Sequence, residues 1–144
     1  MSQAYPTSYP RRVFVDSSAN LALLDATDDN HGAAQAISQR LIGSRSRLFT
    51  TNFIIDESYT LIMSHLGTTA AIAYLHDIRA SSFTIERISL VDERRAEEIL
   101  RQYEDKRFSY TDATSFAIIE RLRLDAALAF DRNFGQYRIV VLMP

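Results

Sequence analysis

The sequence contains no cysteine in its 144 residues. Disulfides, iron–sulfur clusters and thiolate zinc sites are therefore excluded, and the composition suits a reducing cytoplasm. No stretch approaches the roughly 20 apolar residues that cross a bilayer. Residues 1–10 are polar and rich in Pro and Tyr, and no apolar core of a secretion signal follows them. The expectation is a cytoplasmic protein with no membrane partner. An excess of positive charge is also missing: 16 basic residues stand against 18 acidic ones, for a net charge of −2. Bulk charge thus does not mark a nucleic-acid binder, although a local arginine and lysine patch can still act. There is no internal repeat and no low-complexity segment.

What is present is an ordinary globular composition, 47% hydrophobic and 24% charged, at the commonest size for one domain. Pro6 and Pro10 bracket polar residues, so 1–10 reads as a flexible tail. Residues 11–144 read as one domain. Apolar runs predict strands at Arg12–Asp16, Ala126–Phe130 and Arg138–Leu142, alternation predicts one at Phe83–Ile88, and Arg47–Thr51 reads as a further short strand. Between them lie helical segments. One runs from Ser17 to about Ala26 and a second over about 31–42. A third, capped by Asn52, spans Phe53–Leu66, and a fourth, capped by Thr68 or Thr69, ends near Ala80. Asp92 opens a fifth over Glu93–Tyr103, and a sixth begins in the capping-box spacing of Ser109 and Asp112 and ends near Leu124. A short turn or helix fits Arg132–Gln136. Strands alternating with helices predict right-handed crossovers and a mainly parallel sheet. Because several strands are apolar throughout, both faces should be covered, giving a three-layer α/β/α domain.

Four carboxylates stand where solvated surface charge is not expected. Asp16 ends the run Val13-Phe14-Val15, and Asp131 ends Ala126-Ala127-Leu128-Ala129-Phe130. Both therefore lie at carboxyl ends of strands, the edge at which open parallel sheets bind ligands. Glu57 shares a helical stripe with Ile54, Ser58, Leu61 and Ile62. Asp112 is in the first turn of its helix, on the face of Phe116 and Ile119. Each acid also has a simpler account: Asp16 and Asp131 as caps, Asp112 as a first-turn acid favoured by the helix dipole, Glu57 as the partner of a histidine or arginine. Together they form a pattern that must protonate or bind cations. Oxygen-only ligands suit Mg²⁺ or Mn²⁺, and metal-assisted phosphodiester hydrolysis is the matching reaction class. His31, His65 and His76 lie on three different helices without ligand spacing and are not expected to take part.

Four segments carry a family resemblance: Phe14-Val15-Asp16-Ser17-Ser18-Ala19, Thr51 to Leu61, Phe108-Ser109-Tyr110-Thr111-Asp112-Ala113-Thr114-Ser115-Phe116, and Ala129-Phe130-Asp131-Arg132-Asn133-Phe134. In order and spacing they resemble the acidic motifs of the PIN-domain ribonucleases, in particular the VapC-like toxins of bacterial toxin–antitoxin pairs. The likeness runs from about residue 12 to 142. It implies a PIN-like fold and an acidic site of Asp16, Glu57, Asp112 and Asp131 that holds Mg²⁺ or Mn²⁺ and cleaves single-stranded RNA. Ser18 would position the cluster. It further implies a homodimer and a small antitoxin whose C-terminal segment reaches the site. Asn133 stands where relatives often carry His.

Arg12, Lys106, Arg107 and Arg132 lie near the acids in sequence and are candidates for RNA phosphates, with Tyr110 a candidate for base stacking. The apolar residues of two helices (Phe53, Ile62, Met63, Ala71, Ile72, Leu75 and Ile78) serve either a dimer interface or the core. Two other readings of the chain are a stand-alone nuclease and a non-catalytic RNA- or protein-binding module. A phosphoryl-acceptor domain built on Asp16 is disfavoured, because Ser18 occupies the place of the second acid in Asp-x-Asp.

Overall fold

The computed structural model describes residues 9–144. Four short strands, β1 (Arg12–Val15), β2 (Arg47–Thr51), β3 (Thr84–Glu86) and β4 (Ala126–Leu128), form one parallel sheet in the order β3-β2-β1-β4. Among the described residues seven helices accompany them: α1 (Ser17–Leu24), α2 (His31–Gly43), α3 (Asn52–Leu66), α4 (Thr68–Ala80), α5 (Leu90–Gln102), α6 (Tyr110–Leu122) and α7 (Asn133–Gln136). The chain steps outward from β1 through β2 to β3 and then returns to the other side of β1 with β4. The strand order therefore reverses beside β1, where open sheets leave a crevice at their carboxyl edge.

Alternation along β1 builds the layers. Phe14 points into a cluster with Phe49, Ile99, Phe116 and Phe134 from the α5–α6–α7 side. Val13 and Val15 point the other way, onto Ile37 and Leu41 of α2. A third cluster joins α1, α3 and α4 through Leu21, Ile55, Ile62, Ala71, Tyr74 and Ile78. The three-layer expectation holds, and Ile62, Ala71 and Ile78 are core. Ile72, by contrast, is 57% exposed, and Met63 is exposed as well.

Several boundaries differ from the sequence reading. β4 stops at Leu128, and no strand forms over Arg138–Leu142. Only Val141 bridges to Ala127 there, because Arg138 has φ 65° and breaks extension at the segment's start. β3 is an edge strand shortened to three residues. Thr51, not Asn52, caps α3 by accepting from the Ile54 N–H at 3.1 Å. The Asn52 side chain instead accepts from the Ile88 N–H at 2.9 Å and ties β3's exit to α3. α4 follows Gly67 (φ 92°) with no side-chain cap from Thr68 or Thr69. Of the expected tail, 1–8 lies outside the described residues. Tyr9 and Pro10 are docked: the Arg40 guanidinium covers the Tyr9 ring at 4.3 Å, and Ser46 donates to the Pro10 carbonyl at 2.6 Å.

The α5–α6 contact contains an ion pair in which the carboxylate is buried and the guanidinium is partly exposed. Asp92 is 2% exposed, closes the Ser89 capping box and accepts from Arg121 Nε at 2.8 Å. Burial pushes its carboxyl up, but the Arg121 guanidinium and the Ser89 donors outweigh this and hold it below the usual aspartate value. Its stabilising effect is therefore present above the ordinary pKa and is lost as pH falls through the depressed one. Arg121→Met is expected to cost about 2–4 kcal/mol at pH 7 by leaving that carboxylate unpaired. The cost should shrink below the ordinary aspartate pKa. Urea unfolding at neutral and acidic pH checks both, and a loss independent of pH would contradict this account.

Candidate active site

Asp16 leaves the end of β1 in extended conformation (φ −83°, ψ 163°) and caps α1. Its Oδ2 accepts from the Ser18 N–H at 3.2 Å and the Ser18 hydroxyl at 2.7 Å. Ser18 Oγ in turn accepts from the Phe130 N–H at 3.0 Å, so it ties the chain leaving β4 to the first acid. Asp16 is only 3% exposed, and its Oδ1 is buried without a hydrogen-bond partner. Burial drives its pKa up to about 6, against the lowering effect of Ser18 and helped by Glu57 and Asp112.

Glu57 lies half-buried more than a turn into α3, where the Ser17 hydroxyl donates to its Oε1. Its pKa is raised by burial first, with Asp112 and Asp131 adding repulsion against the Ser17 bond. Asp112 is the third residue of α6 and 6% exposed. Its Oδ2 accepts from the Ser109 N–H at 3.0 Å and from Asn133 Nδ2 at 2.8 Å. Burial again raises its pKa, partly offset by those donors. Asp131 follows β4 and accepts from the Asn133 N–H at 2.8 Å.

These four acids share one open pocket of ≈ 360 Å³ with Ser17, Ser18, Leu61, Arg107, Ser109 and Asn133. Among the described residues no ion pair includes any of the four. Nor do three or more acidic or histidine side chains form a closed ligand set there. A hard ion that keeps several waters and takes only one or two carboxylates directly, as Mg²⁺ does, needs no such closed set. The unpartnered Oδ1 of Asp16 and the all-oxygen donor set suit such an ion.

The remaining candidates separate. Arg107 lines the pocket. Lys106 pairs with Asp105 at 3.5 Å, and Arg132 is exposed beside Asp131; neither lines it. Tyr110, 40% exposed, sets its ring 6.2 Å from that of Phe53 at the head of α3. Arg12 is misplaced by sequence proximity, since it starts the strand that Asp16 ends. Its guanidinium donates to the Leu122 carbonyl at 2.6 Å and lies over Phe49, at the opposite edge of the sheet. The histidines stay outside the pocket; His31, for one, bonds the Ala22 carbonyl at 2.7 Å. Sequence reasoning missed Asn133, which holds two of the acids at once, and the grip of Ser17 on Glu57. The Asp131-x-Asn133 spacing of an Asx turn was the available signal for the first.

A PIN-domain family model matches residues 13–140. The chain belongs to the PIN-domain family. Among its relatives is the 23S rRNA-specific endonuclease VapC20 of Mycobacterium tuberculosis, 32% identical over 133 residues, covering 92% of this chain and 98% of the relative. The crystal structure of that Sarcin-Ricin loop cleaving toxin superimposes with a TM-score of 0.82 over 92% of this chain and 99% of that one. Ribonuclease VapC26 of the same organism is 25% identical and covers 84% of this chain and 87% of the relative. A toxin–antitoxin complex from Klebsiella pneumoniae, at 15% identity and TM-score 0.62 over 90% of this chain and 96% of that one, shares the fold. In this PIN domain the four acidic motifs fall on β1, α3, α6 and the turn after β4.

The raised Asp16 pKa carries a stability consequence. Between its ordinary value of 3.8 and about 6 the folded state holds a proton that the unfolded chain releases. Ionisation therefore weakens the metal-free fold as pH rises through that window. Asp16→Asn is expected to stabilise the metal-free protein at pH 7 by about 1–3 kcal/mol, a gain that shrinks toward zero near pH 4. Denaturant titrations in EDTA at the two pH values measure it; a variant less stable at pH 7 would contradict the burial argument.

Proposed function

We propose that this PIN-domain protein is a metal-dependent endoribonuclease that hydrolyses phosphodiester bonds in single-stranded regions of RNA, as the toxin of a toxin–antitoxin pair. The observation that carries the reading is the shared pocket of four carboxylates without a cation partner, one oxygen of which is buried and unbound. The likeness to VapC20 and VapC26 supports the choice of RNA as substrate.

Asp16, Asp112 and Asp131 would hold Mg²⁺ or Mn²⁺, directly or through water, and Glu57 would complete the set. When bound, such an ion supplies Lewis acidity toward the phosphodiester and makes water easier to deprotonate. The protein's own groups do the rest. Ser18 and Asn133 fix three of the carboxylates, and Ser17 fixes Glu57. Glu57 orients the attacking water and, with its raised pKa, accepts the proton. Arg107, on the pocket wall, receives a flanking phosphate, and the exposed Tyr110, next to the pocket-lining Ser109, offers a face for a base.

Partners follow from the same reading: the RNA substrate, a second copy of the chain, and a small antitoxin whose C-terminal segment reaches the pocket. Exposed Ile72 and Met63, and an apolar groove bordered by Leu24, Leu66, Tyr74 and Phe83, support a protein partner. Among the described residues no helix is long and apolar enough to cross a membrane, and RNA as substrate accords with a cytoplasmic location.

Alanine at Asp16 or Asp112 is expected to lower Mg²⁺- or Mn²⁺-dependent cleavage of single-stranded RNA at least about 100-fold, with the melting temperature held or raised. Cleavage assays beside thermal melts test this. Full activity in both folded variants would overturn the assignment.

A further inference from the structure

At the edge of the sheet opposite the acidic pocket the charge has the other sign. Arg11 and Arg12 enter β1, Arg47 enters β2 and pairs with Arg12 in register, and Arg123 precedes β4. Arg45 lies in the turn before β2, and Arg40 ends α2 one turn away. Backbone bonds join these segments directly: the Arg47 N–H donates to the Arg11 carbonyl at 2.6 Å and the Asp125 N–H to the Arg12 carbonyl at 2.8 Å. All but Arg12 are exposed, and none takes part in an ion pair among the described residues. Residues 1–8 contain no acid to neutralise them. The carboxylate in their midst, Asp125, is engaged by the Arg12 backbone N–H at 3.0 Å.

Two features indicate that charge, and not local geometry, determines these residues. Arg45 (φ 53°) and Arg123 (φ 52°) adopt the left-handed backbone at which glycine is the least strained choice. Helix C-termini favour a cation, yet an arginine at an ordinary φ in the last turn serves the dipole without that strain. The basic residues are also almost uniformly arginine: of 16, only Lys106 is lysine. Arginine's planar fork matches phosphate oxygens in pairs, which a lysine ammonium does not.

We infer that this arginine edge is a second RNA-binding surface, one that grips the phosphate backbone of a structured substrate away from the pocket where it is cut. The inference rests on RNA being the substrate of the acidic pocket. The span is short: Arg12 and Asp16 are separated by four residues of extended chain, about 13 Å, a fraction of the ~16 bp of RNA duplex that one small domain can follow. A stem leading from a single-stranded loop in the pocket therefore passes within arginine reach. Without such a surface the acidic pocket, which among the described residues has Arg107 as its one lining cation, holds little of the electrostatic attraction that normally gives RNA its affinity.

The test uses the full chain carrying Arg45→Gly, Arg47→Gln and Arg123→Gly together. Glycine accepts the left-handed backbone, so the variant is expected to melt with the unaltered protein. Two labelled probes are bound in EDTA, where no cleavage occurs: an RNA hairpin with a long stem and a short unstructured oligonucleotide. Hairpin affinity should fall at least tenfold, and the slope of log K against log salt should flatten by about 2–3. Binding of the short probe should stay within twofold. With Mg²⁺ added, KM for the hairpin should rise at unchanged kcat. Unchanged hairpin affinity and slope would overturn the inference. So would an equal loss on both probes, or hairpin binding that survives while capture of polyglutamate is lost, which would assign the edge to an acidic protein. Because the binding arms need no turnover, a failure of the nuclease reading registers separately, as absent cleavage in every variant.

Discussion

Asp16 sits at the end of the central strand with one carboxylate oxygen sealed from water and bound to nothing, and three more acids share its pocket without a neutralising cation. Burying charge in this way opposes folding. The surrounding structure must hold the arrangement together. Helix α1 starts on Asp16 itself, Ser18 staples Asp16 to the segment after β4, and the Asn133 side chain and backbone clamp Asp112 and Asp131. The strand order β3-β2-β1-β4 places the reversal point beside the same residue. A cation held there would convert this repulsion into attraction and restore the stability lost by the metal-free fold.

The distribution of charge over the rest of the molecule follows the direction of its elements. Carboxylates gather where β1 and β4 end and where α1, α3 and α6 begin; arginines gather where strands begin and α2 and α6 end. Helix dipoles favour both signs in these places. Strain at Arg45 and Arg123 goes beyond what the dipoles require. The Asp92–Arg121 pair belongs to neither pole: it fixes α5 against α6 and so steadies the helix that delivers Asp112.

Much of this was readable from sequence, for identifiable reasons. Strands that pack on both faces show as apolar runs, so β1 and β4 were visible; β3, an edge strand, shrank, and the C-terminal segment lost its strand to the positive φ of Arg138. Thr51 and Asn52 are both good caps, and only the long-range bond from Ile88 to Asn52 decides between them. The four acids were legible because each stands at a strand end or on an apolar helical face. Asn133 and Ser17 were not, since they act on partners 21 and 40 residues away. Arg12 was misjudged because nearness along an extended strand was read as nearness in space.

The account stands on a cation at the unsatisfied oxygen of Asp16. Anomalous diffraction from crystals grown with Mn²⁺ tests it most directly. The predicted result is a peak in the pocket about 2.1 Å from Asp16 Oδ1, with Asp112 or Asp131 in its coordination or water shell. A pocket without a peak, with the Arg107 guanidinium turned onto the carboxylates instead, would contradict it.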